Sequence, residues 1–221
     1  MLLIRMSLIK LATGVKMTLN NWLNPELFSA ESIKRLHTIF SSNKPFPYLE
    51  LPHFLKQEKV MALLQALDKQ EFQPKQADLF QFLQTADLLY SDDSVLKEFI
   101  SVFSSTELIN LMQSVTKLKL NKKIDLFASI YQDTDFLLPH DDQLSGRKIA
   151  FMLYLNDLDE KDGGALAFYG SKNKTADRIV KRIIPRAGTL VFFEVSALSF
   201  HTVEEMLTDT QRITLSGWFY G

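Results

Sequence analysis

The stretch IDLFASIYQDTDFLLPHDDQLSGRKIAFMLYLN, residues 124–156, decides how this chain folds. Before about residue 120 apolar side chains return every three or four positions; from Ile124 onward they alternate. Alternation is the signature of a strand with one buried face, and it predicts strands over 124–132 and 147–156. Between them stands Pro139-His140-Asp141-Asp142. His140 and Asp142 flank a single residue, so both side chains can point the same way where a strand runs into a loop.

Working outward toward the C-terminus, GALAFYG (164–170), GTLVFFEVS (188–196), SFHTVEE (199–205) and RITLSGWFY (212–220) continue the alternating pattern. Asp162-Gly163-Gly164 supplies a tight-turn signal between the second and third strands of the series. In the last strand Ile213, Leu215 and Phe219 share one face, while Arg212, Thr214, Ser216 and Trp218 share the other. The apolar face is expected to pack on helices and the polar face to look into a barrel. That arrangement puts a guanidinium inside, where an unpaired cation is very costly, so a protein carboxylate or an acidic ligand must meet Arg212.

Working outward toward the N-terminus, the period is helical. Residues 27–40 carry Ile33, Leu36 and Phe40 behind caps at Ser29 and Ser32, and residues 56–70 carry Val60, Leu63, Leu64 and Leu67. Ser91-Asp92-Asp93 opens a further helix with Phe99 and Phe103, and Ser104-Ser105 with Glu107 opens another. The proline-rich segment 43–52 reads as an edge strand or an entry to the sheet, and residues 71–90 as a polar loop. The expected class is α+β: a double-stranded β-helix, a jelly-roll or cupin-like barrel, buttressed by N-terminal helices. One domain is expected over 26–221, helical to about residue 120 and barrel from about 121. Residues 1–25 form an apolar extension, with Met17 as a candidate true start.

Composition narrows the chemistry. Of 221 residues 46% are hydrophobic, and the 17 phenylalanines can fill a large core. A net charge of -1 gives no drive toward nucleic acid or anionic membrane, so no direct nucleic-acid binding is expected. With no cysteine there is no disulfide, thiolate nucleophile or iron–sulfur cluster, and metal chemistry must use His and carboxylate. The apolar N-terminus is broken by Arg5 and Lys10 and is too short to span a bilayer, so the expected compartment is the cytoplasm. His140, Asp142 and the remote His201 are the ligand set of a 2-His-1-carboxylate facial triad, which holds Fe(II) on one face. His37 and His53 have no partners at ligand spacing and read as structural. Lys172, Lys174, Arg178, Lys181, Arg182 and Arg186 read as a solvated loop. Arg212 follows His201 at the separation of one short hairpin.

His140-x-Asp142, His201 and Arg212-x-Thr214 resemble the Fe(II)- and 2-oxoglutarate-dependent oxygenases of the prolyl hydroxylase type. PHDDQLSGRKIAFMLYLND, GTLVFFEVSALSFHTVEEM, RITLSGWFYG, FPYLELPHFL (46–55) and LFQFLQTADL (79–88) further resemble the ribosomal-protein prolyl 3-hydroxylase branch. The resemblance implies Fe(II) on His140, Asp142 and His201. It implies the distal carboxylate of 2-oxoglutarate on Arg212, supported by the Tyr154 hydroxyl, with Tyr131, Thr214 and Trp218 lining the pocket. O2 is the implied co-reactant, ascorbate a stimulant, and a proline of ribosomal protein S12 the implied target, with succinate and CO2 released. Three alternatives stand beside it: the same chemistry on a free amino acid or other small molecule, a non-catalytic barrel binding module, and a Zn(II) hydrolase. Arg212 speaks against the last, because a metal-bound water needs no buried guanidinium.

Overall fold

The structure is a computed structural model that describes residues 19–221. The expectations for residues 1–18, including a start at Met17, lie outside the described residues. Ahead of residue 26, Trp22 and Leu23 are fully buried, and the Trp22 indole donates to Glu98 at 2.8 Å.

Four helices form where the helical period and the caps coincide: α1 (Ala30–Ser42), α2 (Gln57–Leu67), α3 (Ser94–Phe103) and α4 (Thr106–Thr116). Ser29, Asp93 and Ser105 cap α1, α3 and α4 by accepting from backbone N–H groups that have no intrahelical partner. Ser32, expected as a cap, instead donates its backbone N–H to Ser29.

Eleven strands follow one another through the described residues: β1 (Tyr48–Leu51), β2 (Phe72–Ala77), β3 (Phe80–Thr85), β4 (Ile124–Tyr131), β5 (Phe136–His140), β6 (Arg147–Tyr154), β7 (Leu166–Lys172), β8 (Thr175–Ile183), β9 (Leu190–Glu194), β10 (His201–Val203) and β11 (Arg212–Tyr220). All the pairings are antiparallel, in the order β1-β9-β6-β11-β4-β3-β5-β10-β7-β8, with β2 on β3. One cavity is lined from β3, β4, β5, β6, β10 and β11, so the sheet curls on itself into the expected barrel. No helix among the described residues is long and apolar enough to cross a membrane.

Alternation assigns each strand residue its layer. Ile149, Phe151 and Leu153 of β6, Leu190 and Phe192 of β9, and Leu215 and Phe219 of β11 pack outward against the helices. There Phe103 of α3 lies 4.9 Å from Phe151 and 5.7 Å from Phe219. Fully burying one such side chain is worth about 1.5–3 kcal/mol, which is what docks the helices. The opposite faces turn inward: Ala150, Met152, Tyr154, Val191, Phe193 and Trp218 belong to a second cluster inside the barrel.

Four sequence expectations are corrected. Residues 71–90 are not a loop: β2 and β3 form a hairpin there, hidden because glutamines and Pro74 blur the alternation and β2 is mostly exposed. The basic run 172–186 is largely strand β8, and several of its charges are matched. Arg182 meets Glu204 and Glu160, Lys181 meets Glu50, and Arg186 meets Asp159. β10 and β11 do not form a hairpin; β10 pairs with β5 and β7, and β11 with β4 and β6. The Asp162-Gly163-Gly164 turn exists, with both glycines at positive φ, but it joins β6 to β7, which are not neighbours.

Candidate active site

The register of two strands builds the metal end. His201 on β10 stands directly opposite His140 at the end of β5, and their rings are 4.1 Å apart. Asp142 follows two residues later at φ 61, a left-handed conformation that an aspartate adopts only where its surroundings hold it. That bend turns its carboxylate toward both imidazoles: Oδ1 is 3.5 Å from His140 Nε2, and Oδ2 is 3.4 Å from His201 Nε2. One ligand atom from each residue can lie within 4.8 Å of the others, so the three could hold a metal ion.

Tautomer and charge suit that use. His140 Nδ1–H donates to the Leu138 carbonyl at 2.9 Å, and His201 Nδ1–H to the Ser199 carbonyl at 2.9 Å. Both Nε2 atoms are thereby left facing Asp142, where each can share a proton with the carboxylate or, once deprotonated, ligate a metal. Burial works against the charged form of Asp142, but the two imidazoles outweigh it and hold its carboxyl well below the usual carboxylate range. Burial, aided by His140, pushes His201 down and favours the neutral ring that a metal needs. For His140 burial acts downward too, but contact with Asp142 outweighs it and the net direction is upward.

The other end is built on β11 and its two neighbours. Arg212 is opposite Tyr131 of β4, and Thr214 is opposite Tyr154 of β6. The Arg212 guanidinium carbon lies 5.1 Å and 5.3 Å from the Tyr131 and Tyr154 ring centres. Tyr131 also stacks on Phe82, 4.9 Å away. Arg212 is 1% exposed, and its Nε donates to the Gly164 carbonyl at 2.9 Å. Its Nη2 and the Tyr154 hydroxyl are buried without a hydrogen-bond partner among the described residues. Burial pushes Tyr154 up to about 12 and Tyr131 up as well, each against the opposing Arg212 charge, so both remain hydroxyl donors.

His140, Asp142, His201, Tyr131, Arg212, Thr214 and Trp218 all line a single cavity of about 410 Å³. Trp218 lies six residues beyond Arg212 on β11, roughly 20 Å along a strand. It is covered there by the Arg147 guanidinium, 3.3 Å from its ring centre. Arg147, which the motif left unnoticed, also reaches Asp142: Nη1 is 3.8 Å from Oδ1 and 3.5 Å from the backbone carbonyl. Its signal in the sequence was position alone, five residues past Asp142 at the first residue of β6. Of the other histidines, His37 donates to the Val115 carbonyl and His53 occupies a turn at φ 54, both away from the cavity lining.

A family model described as the 2OG-Fe(II) oxygenase superfamily matches residues 126–220. The chain is 40% identical over 181 residues to Prolyl 3-hydroxylase OGFOD1 of Xenopus laevis, which covers 80% of this chain and 35% of that protein. It is 33% identical over 188 residues to Prolyl 3-hydroxylase sudestada1 of Drosophila melanogaster, again 80% of this chain and 35% of the relative. The chain therefore spans about a third of the length of these relatives. In fold it is similar to a crystal structure of a Pseudomonas putida prolyl-4-hydroxylase, at 22% identity and a TM-score of 0.67 over 84% of this chain and 98% of that one. Residues 126–220, which carry the Asp-and-histidine cluster and Arg212, are therefore a 2OG-Fe(II) oxygenase superfamily domain.

Proposed function

We propose that this chain is a 2-oxoglutarate-dependent protein hydroxylase acting on a prolyl residue. The observation that carries the reading is the buried Arg212, whose Nη2 has no partner among the described residues, in the same cavity as two histidines and an aspartate. A buried guanidinium without a counter-ion is stable only if a ligand supplies one, and a carboxylate matches its planar donor fork. The orphan Tyr154 hydroxyl beside it would donate to the same carboxylate. Residues His140, Asp142 and His201 would hold Fe(II) through two Nε2 atoms and a carboxylate oxygen. When bound, iron and 2-oxoglutarate would supply, with O2 as the oxidant, the chemistry that converts 2-oxoglutarate to succinate and CO2 with one oxygen atom and inserts the other into an unactivated C–H bond.

The protein's own contribution is position and dryness. Tyr131, Phe82, Met152 and Thr214 wall the cavity and exclude water from the reacting centre. Arg147 Nε and Trp218 Nε1 are two further buried donors without partners among the described residues, and peptide carbonyls would satisfy them. The prolyl 3-hydroxylase names of the relatives favour a protein substrate, and the resemblance to the ribosomal-protein branch favours a proline of ribosomal protein S12. The test is incubation of an S12-derived peptide with the chain, Fe(II), 2-oxoglutarate and O2. Succinate release matched by a peptide gain of one oxygen atom at proline supports the assignment. Succinate release without peptide oxidation, at saturating peptide, excludes this substrate and points to a small molecule.

A further inference from the structure

We infer that Asn156 is a positioning residue for cosubstrate binding, acting through Arg212; this rests on the 2-oxoglutarate reading above. The paired part of β6 ends at Tyr154, opposite Thr214, just as β11 reaches the residue that matters most to the pocket. One further backbone bond, Leu155 N–H to the Ile213 carbonyl at 3.0 Å, extends the ladder. Beyond that the Asn156 side chain takes over. Its Oδ1 accepts from Ile213 N–H at 2.9 Å and its Nδ2 donates to the Gln211 carbonyl at 2.7 Å. One amide thus grips the backbone on both sides of Arg212, imitating the donor and acceptor that another strand residue would have presented.

The guanidinium itself is braced from the other direction. Its Nε donates to the Gly164 carbonyl, and Gly164 is held at φ +67 with its N–H donated to Glu205 at 3.2 Å. A Cβ at Gly164 would come within 2.4 Å of Met206 Sδ and 3.2 Å of Arg212 Cδ, so a larger residue there would displace Met206 and crowd Arg212. Asp162 ties the same turn to the segment entering β11: Oδ1 accepts from Thr208 at 3.0 Å, and the Asp162 carbonyl accepts from Leu207 N–H at 2.8 Å. Backbone bracket and side-chain brace leave one guanidinium edge free for a ligand. Asn156 neither lines the cavity nor hydrogen-bonds the guanidinium, and its two bonds go to the backbone on either side of Arg212, so its effect on the pocket must pass through Arg212.

The test is a double-mutant cycle on 2-oxoglutarate affinity, read under anaerobic conditions from the Fe(II) charge-transfer band rather than from turnover. Asn156→Ala is expected to weaken 2-oxoglutarate about tenfold, as loss of an orienting outer-shell partner does, with Fe(II) affinity unchanged. In an Arg212→Ala background, where the cosubstrate is held by its chelating end, adding Asn156→Ala is expected to change affinity no further. Equal losses in both backgrounds would overturn the inference, because Asn156 would then act independently of Arg212. A loss of Fe(II) affinity in Asn156→Ala would overturn it as well, marking a general structural role. If Asn156→Ala does not fold, Asn156→Asp replaces it in the same cycle, keeping the acceptor for Ile213 and losing the donor to Gln211. Failure of the wild-type protein to bind 2-oxoglutarate would instead sink the oxygenase reading on which the inference stands.

Discussion

The two ends of the cavity solve the problem of burying charge in opposite ways. At the metal end Asp142 sits between His140 and His201 at 3.4–3.5 Å with Arg147 3.8 Å away, and each histidine is anchored by a backbone carbonyl, so the carboxylate has its counter-charges within the protein. At the other end Arg212 is more deeply buried, has one backbone acceptor, and meets no carboxylate within 4.0 Å among the described residues. The first arrangement can rest without a ligand. The second holds an unrecovered desolvation cost that a dicarboxylate would offset. On the proposed function, a carboxylate bound at Arg212 would recover that cost.

The largest expected effect breaks the metal end. His201→Ala or Asp142→Ala should lose Fe(II) affinity by more than the ~10–100-fold typical of losing an outer-shell partner, measured by anaerobic metal titration. Next comes Arg212→Met, which keeps volume and removes charge. It should weaken 2-oxoglutarate by ~10–100-fold, in line with charged hydrogen bonds worth about 1.5–3 kcal/mol. Thermal unfolding of the ligand-free Arg212→Met protein should occur at the wild-type temperature or above it, since a buried unpaired charge has been removed. A clear drop in that temperature would contradict the contrast between the two ends.

Tyr154→Phe sharpens the comparison further. Because its hydroxyl has no partner among the described residues, removing it should leave ligand-free stability unchanged. Affinity for 2-oxoglutarate should fall by about 2–10-fold, the net worth of one ordinary hydrogen bond. The smallest effect belongs outside the cavity. Replacing exposed Lys172, Lys174 and Arg178 by alanine should shift stability by no more than ~0.5 kcal/mol each and leave both affinities unchanged.

How much of this was legible beforehand depended on whether one residue carried the signal. The alternation of β11 placed Ile213, Leu215 and Phe219 toward helices and Arg212 toward the cavity, because a strand with one apolar face announces its orientation. The Pro139–Asp142 motif was legible because ligand spacing is local. β2 and β3 were not, since a hairpin of glutamines that lies half in solvent has no hydrophobic face to read. β8 was hidden by its charges, which are matched only by partners distant in sequence such as Glu50 and Glu204. The same holds for the contacts of Asn156 with Gln211 and Ile213, of Gly164 with Arg212 and of Arg147 with Trp218, which the topology and not the sequence brings near.

The central claim is that one cavity binds a metal on His140, Asp142 and His201 and a dicarboxylate on Arg212. Anaerobic addition of Fe(II) and then 2-oxoglutarate to the wild-type chain tests it most directly. The account predicts a visible charge-transfer band that needs both additions, disappears in His201→Ala, and requires far more 2-oxoglutarate in Arg212→Ala. A wild-type protein that gives no band, or a band indifferent to Arg212, would contradict it.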